Sequence, residues 1–295
     1  MAAGMSKDKD LKTFERAWSL LASGQYAEGF ALWETVRFRR GSSPTPKPKL
    51  SFPEWHGEAV SSLLVLPEQG LGDQIQFARF VPDLVARGIS VTVYTHPALA
   101  ALFSGLGAKV RPVDGKVSIE RHDAWIMLGS LPHRLGLTLS MLSGRPYLSA
   151  PPGRLEAWPS HIRHGVVWRG NPRHANDMHR SLTADDAAPL LKMHGAVSLH
   201  PEDTKVRDMA DTAAILDKLE SVVTVDTSVA HLAGAMGKRT LLLLPASRPD
   251  WRWLQDRSDS PWYDSIEILR QTRPCDWGET VASAIGWLQA EPPQG

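Results

Sequence analysis

Two series of short, almost wholly apolar runs, separated by amphipathic stretches that stop at glycine, constrain this chain more than any other feature. In the first series SLLVL (62–66) passes through the turn EQGLGD into IQFARFVPDLVARG, and ISVTVYT, HPALAALFSGLG, KVRPVD and DAWIML follow. Runs this short and this apolar suit strands covered on both faces, and their alternation with helical patterns implies a parallel sheet with helices on both faces. The second series reads GVVW, a loop from Arg169 to Ser181, a helix around Ala184–Met193, AVSLH, a helix around Met209–Leu219, SVVTVD, a helix from Ser228 to Met236, and TLLLLP. Proline-rich PYLSAPPGRLEAWP (146–159) is expected to end the first domain. DWGETVASAIGWLQ is expected to be a closing helix that docks back across both domains. The pattern therefore predicts two doubly wound α/β domains, 50–150 and 160–275, then a helix over 276–290. Two such domains in series present the carboxyl ends of their sheets across a crevice, where folds of this kind bind ligands.

Ahead of them, residues 11–40 read as a short helical hairpin, with Ala17, Leu20 and Leu21 on one face and Tyr26, Phe30 and Trp33 on the next, broken at Ser23-Gly24. It is similar to one tetratricopeptide (TPR) hairpin, although Gly29 stands where that repeat prefers alanine and no second copy follows; it is expected to pack as a cap on the body. Gly41–Leu50 holds three prolines without periodicity and reads as an extended linker.

A length of 295 residues exceeds one ordinary domain, which agrees with two cores. With 33 basic against 32 acidic residues, nothing in the charge asks for nucleic acid. A single cysteine, Cys275, rules out an internal disulfide and a cysteine-built metal site, and fits a reducing compartment. The longest apolar runs, such as TLLLLP, are far shorter than the ~20 residues that span a bilayer. The polar start MAAGMSKDKD lacks the apolar stretch of a signal peptide, so the cytoplasm is the expected compartment.

The segment SVVTVDTSVAHLAGAMGKRTLLLLP (221–245) carries the strongest chemical signal. A buried strand runs into Asp226, and Thr227 and Ser228 stand at the start of a helix that bears His231. Free N–H groups, the helix dipole and two hydroxyls make a diphosphate site; the alternative is that Asp226, Thr227 or Ser228 only caps the helix. In the first series, Gly70-Leu71-Gly72-Asp73 lacks the third glycine of a dinucleotide fingerprint, which speaks against a bound dinucleotide cofactor. VVWRGNPRHANDMHRSL (166–182) places three arginines and two histidines after a strand end, and arginine suits phosphate through its rigid fork of donors. A solvated basic loop is the alternative; His174 and His179 lack the companions a metal needs. His200 ends a strand where it can contact a base or ribose, and Asp211-Thr212 reads as the cap of the next helix. Trp251, Trp253, Trp262 and Tyr263 read as core packing or as stacking partners for a base or sugar.

Asp226–Ala235 is similar to the D-[ST]-[GS]-x-x-H-[LI]-A-x-A segment of the ADP-heptose-dependent heptosyltransferases. ALWE, PEWHGE, EQGLGDQIQF, DWRWL, DSPWY and the late RQ resemble the glycosyltransferase modules of bacterial TPR proteins, over about Tyr26–Leu288. The resemblance implies a GT-B fold, two Rossmann-like domains facing a cleft. It implies a metal-independent, inverting transfer from a nucleotide-diphosphate sugar to a protein or glycan hydroxyl, with no cofactor. Asp73 matches the aspartate of a G-D pair that serves there as general base, while its bland reading is a helix cap. Arg180 resembles the basic residue that pairs with phosphate. The donor set is then Trp168, Gly170, Asn171, Arg180, His200, Asp226, Thr227, Ser228 and His231, with Gln69, Gly70, Gly72 and Gln74 on the acceptor side. A GT-B nucleotide-sugar epimerase and a catalytically silent binding module are the competing readings.

Overall fold

Each apolar run becomes a strand, and every pairing between named strands is parallel. β1 (Ser62–Leu66), β2 (Ser90–Thr95), β3 (Lys109–Pro112) and β4 (Ala124–Met127) form one sheet in the order β3-β2-β1-β4. β5 (His164–Val167), β6 (Ala196–Ser198), β7 (Ser221–Val225), β8 (Thr240–Leu244) and β9 (Ile266–Arg270) form the other, in the order β6-β5-β7-β8-β9. The structure, a computed structural model, describes residues 2–38, 47–68, 70–155 and 157–290, with side chains from residue 9 onward. Most of the linker expected over Gly41–Leu50, the end of the hairpin span at 39–40, and Gln69 lie outside the described residues. Two compact units divide the chain, residues 1–143 and 144–295.

In the first unit α1 (Ala2–Ala22) and α2 (Tyr26–Val36) pack on each other, with the Phe14 and Trp33 rings 5.1 Å apart. The stretch after β1 forms two helices, α3 (Leu71–Ala78) and α4 (Val81–Ala86), where its periodicity suggests one. Pro82 is the reason: without an N–H, and with a ring that clashes with the preceding turn, proline fits only a first turn, and it stands in the first turn of α4. HPALAALFSGLG likewise divides into α5 (Pro97–Ala100) and a 3-10 turn, and α6 (Leu131–Arg134) follows β4. Leu64, Leu66, Tyr94, Trp125 and Met127 point to one face, where Phe52, Leu50, Val113 and Ile119 from irregular chain cover them. The covering strip is tied down by Trp125 N–H to the Pro53 carbonyl at 3.0 Å and Trp55 N–H to the Trp125 carbonyl at 2.7 Å.

In the second unit α7 (Asp177–Arg180), α8 (Ala184–Leu191), α9 (Pro201–Thr204), α10 (Met209–Lys218), α11 (Ser228–Ala235) and α12 (Gly278–Gln289) connect and flank the strands. One core joins Val166, Val223, Val225, Leu241 and Leu243 of the sheet to Ala187 and Leu190 of α8 and Val281, Ala284 and Leu288 of α12. The closing helix is thus built into this unit's own core. The proline-rich stretch expected to end the first domain also belongs here, because Tyr147 and Leu148 N–H both donate to the Ala235 carbonyl, at 2.9 and 3.0 Å. Asp208, and not Asp211, caps α10, accepting from Ala210 and Asp211 N–H at 3.0 Å each. Asp211 instead binds Arg207, whose fork holds its carboxyl down at about 2. No helix among the described residues is long and apolar enough to cross a membrane.

The aromatic row of the second unit is core. Trp251, Trp253, Trp262 and Tyr263 are at most 2% exposed, which removes stacking on a surface-bound ligand as their role. Gly234 of α11 lies so close to the Tyr263 ring that an added methyl would overlap it and stand 2.9 Å from Ile266 Cδ1. Alanine would gain ~1 kcal/mol of helix propensity there but incur ~1 to 3 kcal/mol of overpacking. Gly234→Ala should therefore lower the urea midpoint with the slope unchanged; an unchanged or raised midpoint would show the ring free to retreat.

Candidate functional site

In a sheet ordered β6-β5-β7-β8-β9 the winding reverses between β5 and β7, and the loops leaving those two strands flank the reversal. The β7 loop is Asp226-Thr227, running straight into α11. Thr227 caps the helix: its Oγ1 accepts from Val229 N–H at 3.3 Å and its carbonyl from Ala230 N–H at 3.1 Å. The capping alternative is thus realised by Thr227, while Thr227 and Ser228 both keep partial exposure at the helix start.

The β5 loop folds back on itself, with Leu182 N–H bonded to the Trp168 carbonyl at 2.8 Å and Gly170 N–H to Ser181 Oγ at 2.9 Å. That closure presents Arg180, whose Nη1 donates to the Asp226 carbonyl at 2.6 Å and whose Nε donates to Asp177 Oδ1 at 3.1 Å. Gly170 supplies the room. A Cβ there would sit 2.5 Å from Arg180 Nη2 and 2.7 Å from Asp177 Oδ1. Arg180 and the Asp226 turn, distant in sequence, are therefore in direct contact. Asn171 is exposed, and its Oδ1 accepts from Arg173 N–H at 3.0 Å, a local turn contact.

Burial, then the neighbouring Asp250 carboxylate, raise the Asp226 carboxyl to about 7, against the opposing charges of Arg180 and Arg252. Asp250 is itself held by Arg252 Nη1 at 2.9 Å. The His231 ring is buried, stacked on Trp253 with centroids 5.2 Å apart and bonded through Nδ1 to the Tyr263 hydroxyl at 3.0 Å. His200 is also buried, edge-on to Trp168 at 5.4 Å. Desolvation, then the charge of Arg169, lower its pKa. Arg169 lies over the Trp168 ring at 5.0 Å and pairs with Glu202.

Among the described residues, three buried polar atoms in loops at the carboxyl edge of this sheet have no hydrogen-bond partner, Asn176 Oδ1, His200 Nε2 and Gln271 Nε2, while the Trp253 side chain bonds to the Asp226 carboxyl. Each such atom costs about 1 to 3 kcal/mol, so native proteins hold few of them away from functional sites. Of these, His200 ends a strand and Gln271 belongs to the late RQ that carries part of the resemblance. Asp250 and Arg252 stand in DWRWL and Asn176 in the loop after β5, but nothing local distinguishes their roles from those of other loop and capping residues.

In the first unit Asp73 sits in the first turn of α3, with its carboxylate folded back over Gly70, where a Cβ would meet Oδ2 at 2.5 Å. Gly70 thereby earns its glycine by space. Gly72 is the second residue of the helix. Gln74 is fully engaged inside the unit: Nε2 donates to the Glu68 carbonyl at 2.6 Å, and Oε1 accepts from Thr95 Oγ1 at 2.8 Å and His96 N–H at 3.1 Å. Its amide ties the turn to β2, which is a different task from the acceptor contact expected of it.

Residues 180–279 match the family described as Glycosyltransferase family 9 (heptosyltransferase). Protein FlbA of Caulobacter vibrioides is 25% identical over 337 aligned positions, which cover 96% of this chain and 56% of FlbA, so the chain spans a little over half of that relative. Among solved structures, a glycosyl transferase family 9 protein from Veillonella parvula matches with a TM-score of 0.51 at 12% identity, over 77% of this chain and 92% of its own. Escherichia coli heptosyltransferase WaaC, solved with ADP-2-deoxy-2-fluoro heptose, matches at 0.50 and 12%, over 78% of this chain and 100% of its own. The iron-containing dodecameric glycosyltransferase TibC from enterotoxigenic E. coli matches at 0.50 and 11%, over 85% of this chain and 82% of its own. The fold is thus of GT-B type with two Rossmann-like sheets, and the heptosyltransferase-like character of the sequence rests on a matched segment that contains Arg180 and the whole Asp226–His231 turn.

The Asp226 carboxyl generates a pH test. Its ordinary value is 3.8, so between about 4 and 7 the folded chain holds a proton that the unfolded chain has released. Stability from this proton is complete below about 4 and is lost as pH rises through about 7. Asp226→Asn, neutral throughout, should flatten the fall of unfolding free energy across that window in urea titrations. Parallel profiles for the two proteins would mean that the carboxyl titrates normally.

Proposed function

We propose that this chain transfers a glycosyl group from a nucleotide-diphosphate sugar to a hydroxyl of a protein or glycan acceptor, with inversion and without a bound metal. The observation that carries the reading is the meeting of Arg180 with the Asp226–Ser228 turn at the start of α11, inside the segment matched to glycosyltransferase family 9. A leaving diphosphate needs positive charge and free donors. The amino end of a helix supplies a partial positive charge with unshared N–H groups, and Arg180 has five donors, of which the two bonds to Asp226 and Asp177 use two. The buried polar atoms of Asn176, His200 and Gln271 at the same edge of the sheet suit the polar edges of a nucleotide.

In this reading Asp73 is the general base. Its carboxylate takes the proton of the acceptor hydroxyl as that oxygen bonds to the anomeric carbon, and the bond from that carbon to the diphosphate breaks, releasing the nucleoside diphosphate. Opposite-face attack inverts the anomeric centre. The exposed thiol of Cys275 suits the cytoplasmic setting that goes with such a donor. ADP-heptose-type donors head the candidates, since WaaC is described with an ADP-linked heptose analogue.

A thermal-shift series across ADP-, UDP-, GDP- and CMP-sugars should reveal the donor, because ligand at 100 times its dissociation constant stabilises by about 2.7 kcal/mol. Arg180→Ala should then weaken donor binding by ~1.5 to 3 kcal/mol, the loss of a charge-assisted contact; unaltered affinity would count against the diphosphate site.

Asp73→Asn preserves shape and capping ability but removes the base, so transfer should fall ~100 to 10,000 fold with donor affinity and Tm held. Turnover within threefold of wild type would end the assignment, and product analysis by NMR separates transfer from epimerisation of the donor.

A further inference from the structure

The first sheet, ordered β3-β2-β1-β4, reverses its winding between β1 and β4, and the loops after those strands flank the reversal. The helical hairpin sends a charged cluster to this place. Arg37, next after α2, donates through Nη2 to Glu68 Oε1 at 2.5 Å, and the same oxygen accepts from Gly129 N–H at 2.8 Å. Glu34, one turn earlier, lies 3.9 Å from Arg37 and accepts from Ser130 Oγ at 3.0 Å. Glu68 follows β1 while Gly129 and Ser130 follow β4, so the hairpin's ion pair bridges both loops.

The cluster is withdrawn from water, with side-chain exposures of 8% for Arg37, 10% for Glu34 and 16% for Glu68. Ion pairs at such depth are costly to desolvate and therefore make weak arguments for stability alone. What this one does is hold Glu68 by its side chain, while Gln74 holds the same residue by its carbonyl at 2.6 Å. Glu68 lies just ahead of Gly70, the residue before α3, and Asp73 stands in the first turn of that helix, so the bond from Gln74 to the Glu68 carbonyl couples Glu68 to the start of α3.

We propose that Arg37 is a positioning residue: by clamping Glu68, whose carbonyl is bonded to Gln74 of α3, it fixes the start of that helix, and with it the Asp73 carboxylate, which makes the hairpin a working part of the acceptor-side site. The proposal rests on the reading of Asp73 as general base, and its test has one arm that does not. Arg37→Ala and Arg37→Lys, the second keeping charge but losing the fork, are compared with wild type by amide exchange over residues 66–77, by donor dissociation constant and by kcat. Exchange in that span should rise several-fold while the second unit stays protected, kcat should fall ~10 to 100 fold, and donor affinity should stay within threefold. Gly129→Ala, whose methyl would sit 2.8 Å from both Arg37 Nη1 and Glu68 Oε1, should reproduce the pattern with Arg37 still present. It carries the test if Arg37→Ala does not fold. Unchanged exchange over 66–77 overturns the proposal, as does raised exchange with kcat within threefold of wild type. If wild type transfers no sugar, or Asp73→Asn is fully active, the general-base reading fails by itself, and the exchange arm alone then decides whether Arg37 holds the turn.

Discussion

Parallel strand pairing is the constraint on which the rest of this structure depends. It delivers every strand's carboxyl end to the same edge of its sheet, so the loops after β1 and β4, and after β5 and β7, converge without any of their residues having to attract one another. Reversal of the winding opens a crevice at one point along each edge. At both points the chain has placed an arginine: Arg37 against Glu68 in the first unit and Arg180 against the Asp226 carbonyl in the second.

The two arginines perform different work. Arg37 is enclosed between carboxylates and a backbone amide, with its charge answered by its own unit, so its contribution is geometric. Arg180 meets a carbonyl and one carboxylate and keeps donors to spare beside a helix start, an arrangement that favours an arriving anion. Asp226 shows how tight the second site is. The main-chain oxygen of this residue serves Arg180, while its carboxyl is pushed to about 7 by burial and by Asp250. Glycine is what permits such closeness, at Gly170 beneath the Arg180 fork and at Gly70 beneath the Asp73 carboxylate.

The second unit accepts an unusual cost. Its aromatic residues, Trp251, Trp253, Trp262 and Tyr263, are sealed in the core, with His231 held among them by a stack and a hydrogen bond. Around these rings stand buried polar atoms of Asn176, His200 and Gln271 without a hydrogen-bond partner among the described residues. A folded domain tolerates several such atoms in one neighbourhood when bound partners complete them, and a nucleotide is the partner the proposed reading supplies.

The sequence by itself determined the strands β1 to β8, their parallel pairing, and the strand-to-helix turns at Asp73 and Asp226, while β9 went unmarked. These features are written locally, in apolar period, glycine stops and helix-start residues that act within a few positions. Helix breaks were only half legible: Pro82 is visible, but whether it kinks or divides a helix depends on what packs around it. Only the tertiary structure decided that the aromatic row is core, that Gln74 braces a turn, that α12 and the stretch after Pro146 belong to the second unit, and that Arg37 reaches Glu68. Each of these is a contact between residues far apart in the chain, and no residue's local pattern specifies which distant neighbour will desolvate it or answer its charge.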